Sequence, residues 1–189
     1  MSNLKELTWE YHKRAERTQF VHRMLKKEMT VYQYYVYLLN QFLMYSYLEE
    51  KARNCNAIDE SLFHIMRASN LSKDLLELEV ENSFKAPKPL ESTIHYMNYI
   101  DMIKDDPYRL LAHMYVRHMG DLSGGQIIKR FVPGSGLHYH FDEDTEVLKE
   151  KFRQKLHDGL AEEAKVCFDM VREFMEELEN SFGNVRDSD

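Results

Sequence analysis

Glycine and proline are scarce in this sequence, seven and four among 189 residues. So few chain-turning residues argue against a fold of many short strands and leave room for long helices. Cysteine is rarer still. Cys55 and Cys167 are the only two, far apart and in neither a metal-binding nor a redox spacing, which argues against a disulfide scaffold and for a reducing compartment. No window approaches ~20 consecutive apolar residues, so no membrane span is expected. The start, with Lys5, Glu6 and Glu10 among its apolar residues, lacks the layout of a signal peptide. Positive charge is in deficit, 25 Lys and Arg against 32 Asp and Glu, which argues against nucleic acid as the main partner. A soluble, cytoplasmic protein is the expectation.

What is plentiful points to helix. Leu, Met, Glu and Lys are abundant and all favour it. Twelve Tyr, ten Phe and eleven Met suit either a roomy interior or an ordinary core. Leu4, Leu7, Tyr11 and Ala15 recur at nearly helical spacing and predict a first helix over 4–27. Thr30-Val-Tyr-Gln33 reads as a capping box that opens a helix to about Asn54, apolar on most sides. Shorter helices are predicted over 59–68 and 71–84, halted by Pro87 and Pro89, then over 91–104. Asp106-Pro107 is a further start, with Asp as N-cap and Pro at the first helical position. That helix ends at Pro133-Gly-Ser-Gly136, and a loop runs to about Asp144. Helices over 145–158 and 160–181 follow, divided near Gly159, with Gly183 in a C-cap position. No repeat interrupts the chain, so the expectation is an all-α, single-domain helical bundle over 1–189.

Nine histidines raise the question of metal. No histidine has an acidic residue three positions before it, so the Glu-x-x-His of a di-iron bundle is missing. His-Glu-x-x-His is missing too. His138-Tyr-His140 reads as a polar loop rather than a chelate. Single-histidine chemistry remains, and haem is the cofactor that uses it; covalent attachment is excluded, since no Cys-x-x-Cys-His occurs. His12 is the best placed, in the first helix on the Leu4–Thr8–Ala15 side, with Glu16 one turn on. A carboxylate at i+4 can orient an imidazole ligand, although such a pair is also a common surface feature.

Gly120-Asp-Leu-Ser-Gly-Gly-Gln126 is the second anomaly. Three of the seven glycines fall in six residues of a helical pattern, each costing roughly 1 kcal/mol relative to Ala. Gly120 and Gly124 lie on nearly the same face and leave bare backbone there. That suits a flat ligand or, equally, a close helix crossing. Asp121 sits beside the gap, where a carboxylate can hold water.

The motif resembles the distal-helix signature of the haem oxygenases, and its flanks agree: Ala112-His-Met-Tyr-Val-Arg-His-Met before it and Ile127-Ile-Lys-Arg after. Leu4-Lys-Glu-Leu-Thr-Trp-Glu-Tyr-His-Lys-Arg-Ala-Glu16 is similar to the family's proximal segment. Leu48-Glu-Glu50, Phe152-Arg153 and Glu162-Glu-Ala-Lys165 extend the likeness along nearly the whole chain. The resemblance implies haem b, substrate and cofactor together, sandwiched between a proximal N-terminal helix and a glycine-kinked distal helix. It implies cleavage by O2 to biliverdin, of the IX-alpha isomer, with CO and ferrous iron. By the same resemblance His12 is the axial iron ligand and Glu16 orients it. Gly120 and Gly124 admit the haem, and Asp121 anchors a proton-delivering water network supported by Arg117 and Tyr45. Lys5, Tyr115, Lys149 and Arg153 meet the propionates, and Phe168 lines the pocket.

Two positions depart from the mammalian pattern: Trp9 stands for a propionate-facing lysine, and Val171 for an asparagine of the water network. Without the hydrophobic anchor of the mammalian enzymes, the likeness is to the soluble bacterial, cyanobacterial or phage type. No flavin, nicotinamide or iron–sulfur motif is present, so an external electron donor must dock. Lys149 and Arg153 form one i,i+4 pair, while Lys151 and Lys155 form another turned about 200° away. With Lys26, Lys27, Lys129 and Arg130 they suggest a basic face for an acidic ferredoxin or flavodoxin. A downstream bilin reductase is a further candidate partner. A non-enzymatic haem carrier on the same fold is the alternative, and Asp121 argues against it.

Overall fold

A single threonine divides the first predicted helix. In the computed structural model, which describes residues 2–183, the expected 4–27 helix is two: α1 (Leu4–Glu16) and α2 (Gln19–Leu25). Between them Thr18 turns extended, and its hydroxyl donates to the Ala15 carbonyl at 3.1 Å. A side chain that takes a helix carbonyl in this way competes with continuation of the helix. α3 (Val31–Asn54) opens on the expected capping box. The Gln33 amide donates to Thr30 Oγ1 at 3.1 Å, and the Thr30 amide donates to Gln33 Oε1 at 3.0 Å.

The expected 59–68 helix is a 3-10 turn, Glu60–Ile65, started by Asp59. α4 (Ala68–Asn82) then begins earlier than its spacing predicted. The cause is a distant cap: the buried Glu49 carboxylate accepts from the amides of Arg67 at 2.6 Å and Ala68 at 3.1 Å, satisfying donors that an α-helix start leaves free. α5 (Glu91–Met102) follows. α6 (Pro107–Leu122) starts as predicted, with the Asp106 carboxylate accepting from the Tyr108 and Arg109 amides.

The kink expected in the glycine-rich helix is a full break. Ser123 leaves helical geometry at φ −114°, ψ −85°, and a single turn, α7 (Gly125–Ile128), resumes the path. After a loop holding the 3-10 turn Leu137–Tyr139 comes α8 (Thr145–Arg153), which stops short of the predicted 158. Asp158 is drawn elsewhere, since its carboxylate accepts from the Ser2 hydroxyl and the Asn3 amide at the start of α1. Lys155 therefore lies just beyond the helix, past its Gln154 cap, whereas Lys149, Lys151 and Arg153 lie within it.

α9 (Ala161–Gly183) is the common support. It packs against α1, α2, α5 and α6, and one contiguous apolar cluster joins these elements to α3 and α4. α1 and α6 each lie along α9 without packing extensively on one another. Among the described residues all regular structure is helical, and no helix is long and apolar enough to cross a membrane.

Candidate functional site

α1 buries Leu4, Thr8 and Ala15, and His12 sits half-buried at the edge of that stripe. Two aromatic rings hold it. Trp9, one turn earlier, stacks on the imidazole at 5.3 Å, and Phe168 of α9 meets it edge-on at 5.6 Å. Nε2 is 3.5 Å from Glu16 Oε1, within ion-pair reach but longer than a formed hydrogen bond. Nδ1 is buried and has no hydrogen-bond partner among the described residues. An imidazole with one nitrogen beside a carboxylate and the other unused has the donor set of a metal ligand. Trp9 therefore does more than replace a cation. It packs the histidine, and the Lys5 and Lys13 ammonium groups lie over its ring at 5.8 and 5.7 Å.

The three glycines, Gly120 on α6, Gly124 at the break and Gly125 opening α7, separate by what surrounds them. A Cβ on Gly120 would meet nothing within 4 Å, and one on Gly124 only the Gly120 carbonyl at 3.7 Å. A Cβ on Gly125 would meet the Tyr139 ring at 2.8 Å. Close packing thus accounts for Gly125 alone; Gly120 faces open space, and Gly124 has room for a Cβ in ordinary contact.

Asp121 adjoins that space. The Tyr45 hydroxyl donates to its Oδ2 at 2.7 Å. Burial pushes the Asp121 carboxyl above the usual carboxylate range, against the nearby charges of His118, His138 and Arg67 and the hydrogen bond from Tyr45. Burial and the Asp121 charge push the Tyr45 phenol far up, so it remains a donor. Arg117 is buried but makes no hydrogen bond to Asp121. It donates to Gln41 Oε1 and Met44 Sδ, both at 3.2 Å, and its guanidinium lies 4.1 Å from the Tyr96 ring and 5.6 Å from the Tyr45 ring. It meets the network only through the Tyr45 ring.

Tyr115 is buried beside Thr8 of α1, where desolvation raises its phenol. Lys149 and Arg153 face acids of their own helix, Glu146 at 2.7 Å and Glu150 at 3.6 Å. Lys151 and Lys155 are engaged by Glu143 and Asp59, which weakens the expected basic face there. Lys27, by contrast, lies over the Phe131 ring at 5.6 Å, which brings the end of α2 against the segment that carries Lys129 and Arg130. Val171 packs partly buried against the core.

Sequence reasoning missed a set of buried polar groups behind the site. His118 meets Glu49, and His138 meets Asp74 at 2.6 Å. Glu163 of α9 accepts from Arg109 and Tyr99 and pairs with His113 at 3.0 Å. The available signal was a carboxylate or histidine inside an apolar helical run, such as Glu49 in α3 or His118 in α6.

The helical bundle thus carries an aromatic-held histidine on α1 and bare glycine backbone beside a carboxylate at the end of α6. The family model "Heme oxygenase" matches residues 1–183. Heme oxygenases of Guillardia theta and Porphyra purpurea are 30% and 29% identical, over 95% and 97% of this chain and 86% and 88% of theirs. The crystal structure of heme oxygenase-1 from the cyanobacterium Synechocystis in complex with heme superposes with a TM-score of 0.83 at 26% identity, covering 96% of this chain and 93% of that one. Heme oxygenase of Leptospira interrogans gives 0.79 at 28%, covering 92% and 97%. The chain belongs to the heme oxygenase family. It is an enzyme whose substrate is haem, and the family reaction yields biliverdin, CO and ferrous iron.

Proposed function

We propose that His12 would hold the haem iron, with Glu16 fixing its ring, and that Asp121 would manage protons beside the glycine backbone. The observation that carries this reading is the contrast within one motif: Gly120, beside Asp121, faces open space and Gly124 has room for a Cβ, while Gly125 is filled by Tyr139. The residues fit the group, since His12 has a spare buried nitrogen and the glycine backbone offers a flat floor. Bound haem supplies both the iron that activates O2 and the ring that is opened. Phe168 and Trp9 hold the imidazole upright. Asp121, with Tyr45 donating to one oxygen, keeps the other available to orient water and pass a proton on the O2 side. Arg117 steadies Tyr45 from behind.

Lys5, Tyr115, Lys149 and Arg153 seat the propionates, with ammonium, guanidinium and phenol groups as donors to carboxylates. That seating gives the IX-alpha isomer. The electron donor is an acidic ferredoxin or flavodoxin docking where Lys26 and Lys27 approach Lys129 and Arg130, and the protein works in the cytoplasm, delivering its product to a bilin reductase.

The test is haem titration, then reduced ferredoxin in air, followed by absorbance and by chromatography of the product. A sharp Soret band that gives way to biliverdin IX-alpha is the expected outcome. A Soret band that persists through reduction would instead favour the haem-carrier reading.

A further inference from the structure

Behind Tyr45 lies a pair of groups with no part in the reading above. His118, one turn before Asp121 on α6, is fully buried, and its ring lies 5.0 Å from that of Tyr45. Its Nδ1 faces the Met114 carbonyl oxygen at 3.1 Å, and its Nε2 faces Glu49 Oε1 at 2.9 Å. Both neighbours are acceptors. A neutral imidazole carries one N–H and would leave one of these contacts without a hydrogen. Either the ring holds two protons or Glu49 holds one. The surroundings of Glu49 decide between them, because its oxygens also accept from the Arg67 and Ala68 amides at the N-terminus of α4. Backbone donors and the helix dipole there favour a carboxylate.

We propose that His118 is a positioning residue of the distal side: Glu49 and the Met114 carbonyl hold it as an imidazolium behind Tyr45, and its charge keeps Asp121 a carboxylate that accepts from Tyr45. The proposal rests on the reading of Asp121 as the group that holds water beside the haem. The charges around Asp121 agree with it. Burial drives this carboxyl toward its neutral form, and His118 is the foremost opposing influence, ahead of His138, Tyr45 and Arg67. These four come from α6, the 3-10 turn at Leu137–Tyr139, α3 and the lead into α4. His138 is itself bound to Asp74, and the Arg67 side chain gives its N–H groups to the carbonyls of His64, Ile65, His138 and His140. A neutral Asp121 would offer a hydroxyl where the network needs an acceptor.

The test uses the isotope-labelled, ligand-free protein. Nitrogen NMR of the His118 ring at neutral pH should show both nitrogens protonated. The Asp121 carboxyl carbon, followed from neutral to acid pH, should titrate at a higher midpoint in both His118→Gln and Glu49→Gln than in the parent. Circular dichroism checks that the helices persist. A singly protonated ring in the parent overturns the proposal, as does an unmoved Asp121 midpoint in the variants. Should His118→Gln fail to fold, the parent ring signal and Glu49→Gln still decide. Failure of the Asp121 reading is distinguishable: Asp121→Ala would then form biliverdin at the parent rate, whatever the NMR shows.

Discussion

The two sides of the site are built on different principles. On α1 the proposed iron ligand is one histidine, half-buried, packed between Trp9 and Phe168, with a loose contact to Glu16 and one nitrogen unused. On α6 the carboxylate is bonded to Tyr45, Tyr45 lies against His118, and His118 meets Glu49, which caps α4. A group that supplies one bond to a metal is completed by the metal and tolerates looseness beforehand. A group that moves protons must be oriented before the substrate arrives, because reorganisation during reaction raises the barrier.

The sharpest way to break this comparison is to cross two substitutions. His12→Ala should cost the ligand-free protein no more than about 1 kcal/mol, the worth of its contacts with Trp9 and Phe168. It should change the haem spectrum and abolish turnover until imidazole is added. Asp121→Ala should do the reverse. Its haem spectrum should stay near normal while biliverdin formation falls by a factor on the order of 10² or more, the usual worth of a positioned acid or base. Titration and single-turnover absorbance separate the two. An unchanged spectrum in His12→Ala would shift the ligand to exposed His22, since His113 is already held by Tyr96 and Glu163.

The same asymmetry governs what could be read from the sequence. His12 and Glu16 are four residues apart, and Gly120, Asp121 and Gly124 lie within one turn or so, so helical periodicity alone gathers them. The capping box at Thr30 and the Asp106-Pro107 start were legible for the same reason. The deeper distal groups join residues far apart in the chain: His118 with Glu49, Asp74 with His138, Glu163 with His113. Only the packing of α3, α4, α6 and α9 brings them together. Helix ends behaved likewise. α4 began early because Glu49 caps it from another helix, and α8 ended early because Asp158 is held at the start of α1. Propensity cannot see either partner.

A second contrast is electrostatic. Glu163 ties α9, which carries Phe168, to α5 and α6. Against the penalty of its burial, hydrogen bonds from His113, Arg109 and Tyr99 bring its carboxyl down to about 2. A folded-state value below the unfolded one gives stability that is present above the ordinary carboxylate value near 4.5 and lost as pH falls toward 2. By linkage, after allowing for solvent screening, it is worth on the order of 2 kcal/mol, counted once for the pair with His113. Urea unfolding should therefore show the parent losing stability between those pH values, and Glu163→Gln should be weaker at neutral pH with a flatter acid profile. The exposed His12–Glu16 pair should contribute under about 1 kcal/mol. Equal acid sensitivity in Glu16→Gln and Glu163→Gln would end the distinction between a loose side and a braced one.

The finest test lies inside the glycine motif, where both principles meet five residues apart. Gly125→Ala drives a methyl into Tyr139, and that ring cannot retreat. It is fully buried, Gln126 donates to the Tyr139 carbonyl, and the neighbouring His138 is held by Asp74. Overpacking of this kind costs about 1–3 kcal/mol, partly offset by alanine's helix preference of up to about 1 kcal/mol. A net loss of about 1–2 kcal/mol in urea unfolding is expected, with haem affinity reduced only as far as the break between α6 and α7 shifts. Gly120→Ala meets no atom within 4 Å, so the ligand-free protein should keep or gain stability by up to about 1 kcal/mol. Its methyl would nonetheless stand where the proposed site puts the flat substrate, and haem should bind about tenfold or more weakly, a loss of at least about 1.4 kcal/mol. Opposite signs of the stability change, with the larger binding defect in the more stable variant, are the signature of a glycine kept for its ligand. Parent-like haem affinity in Gly120→Ala would mean that the space beside Asp121 is not where haem sits.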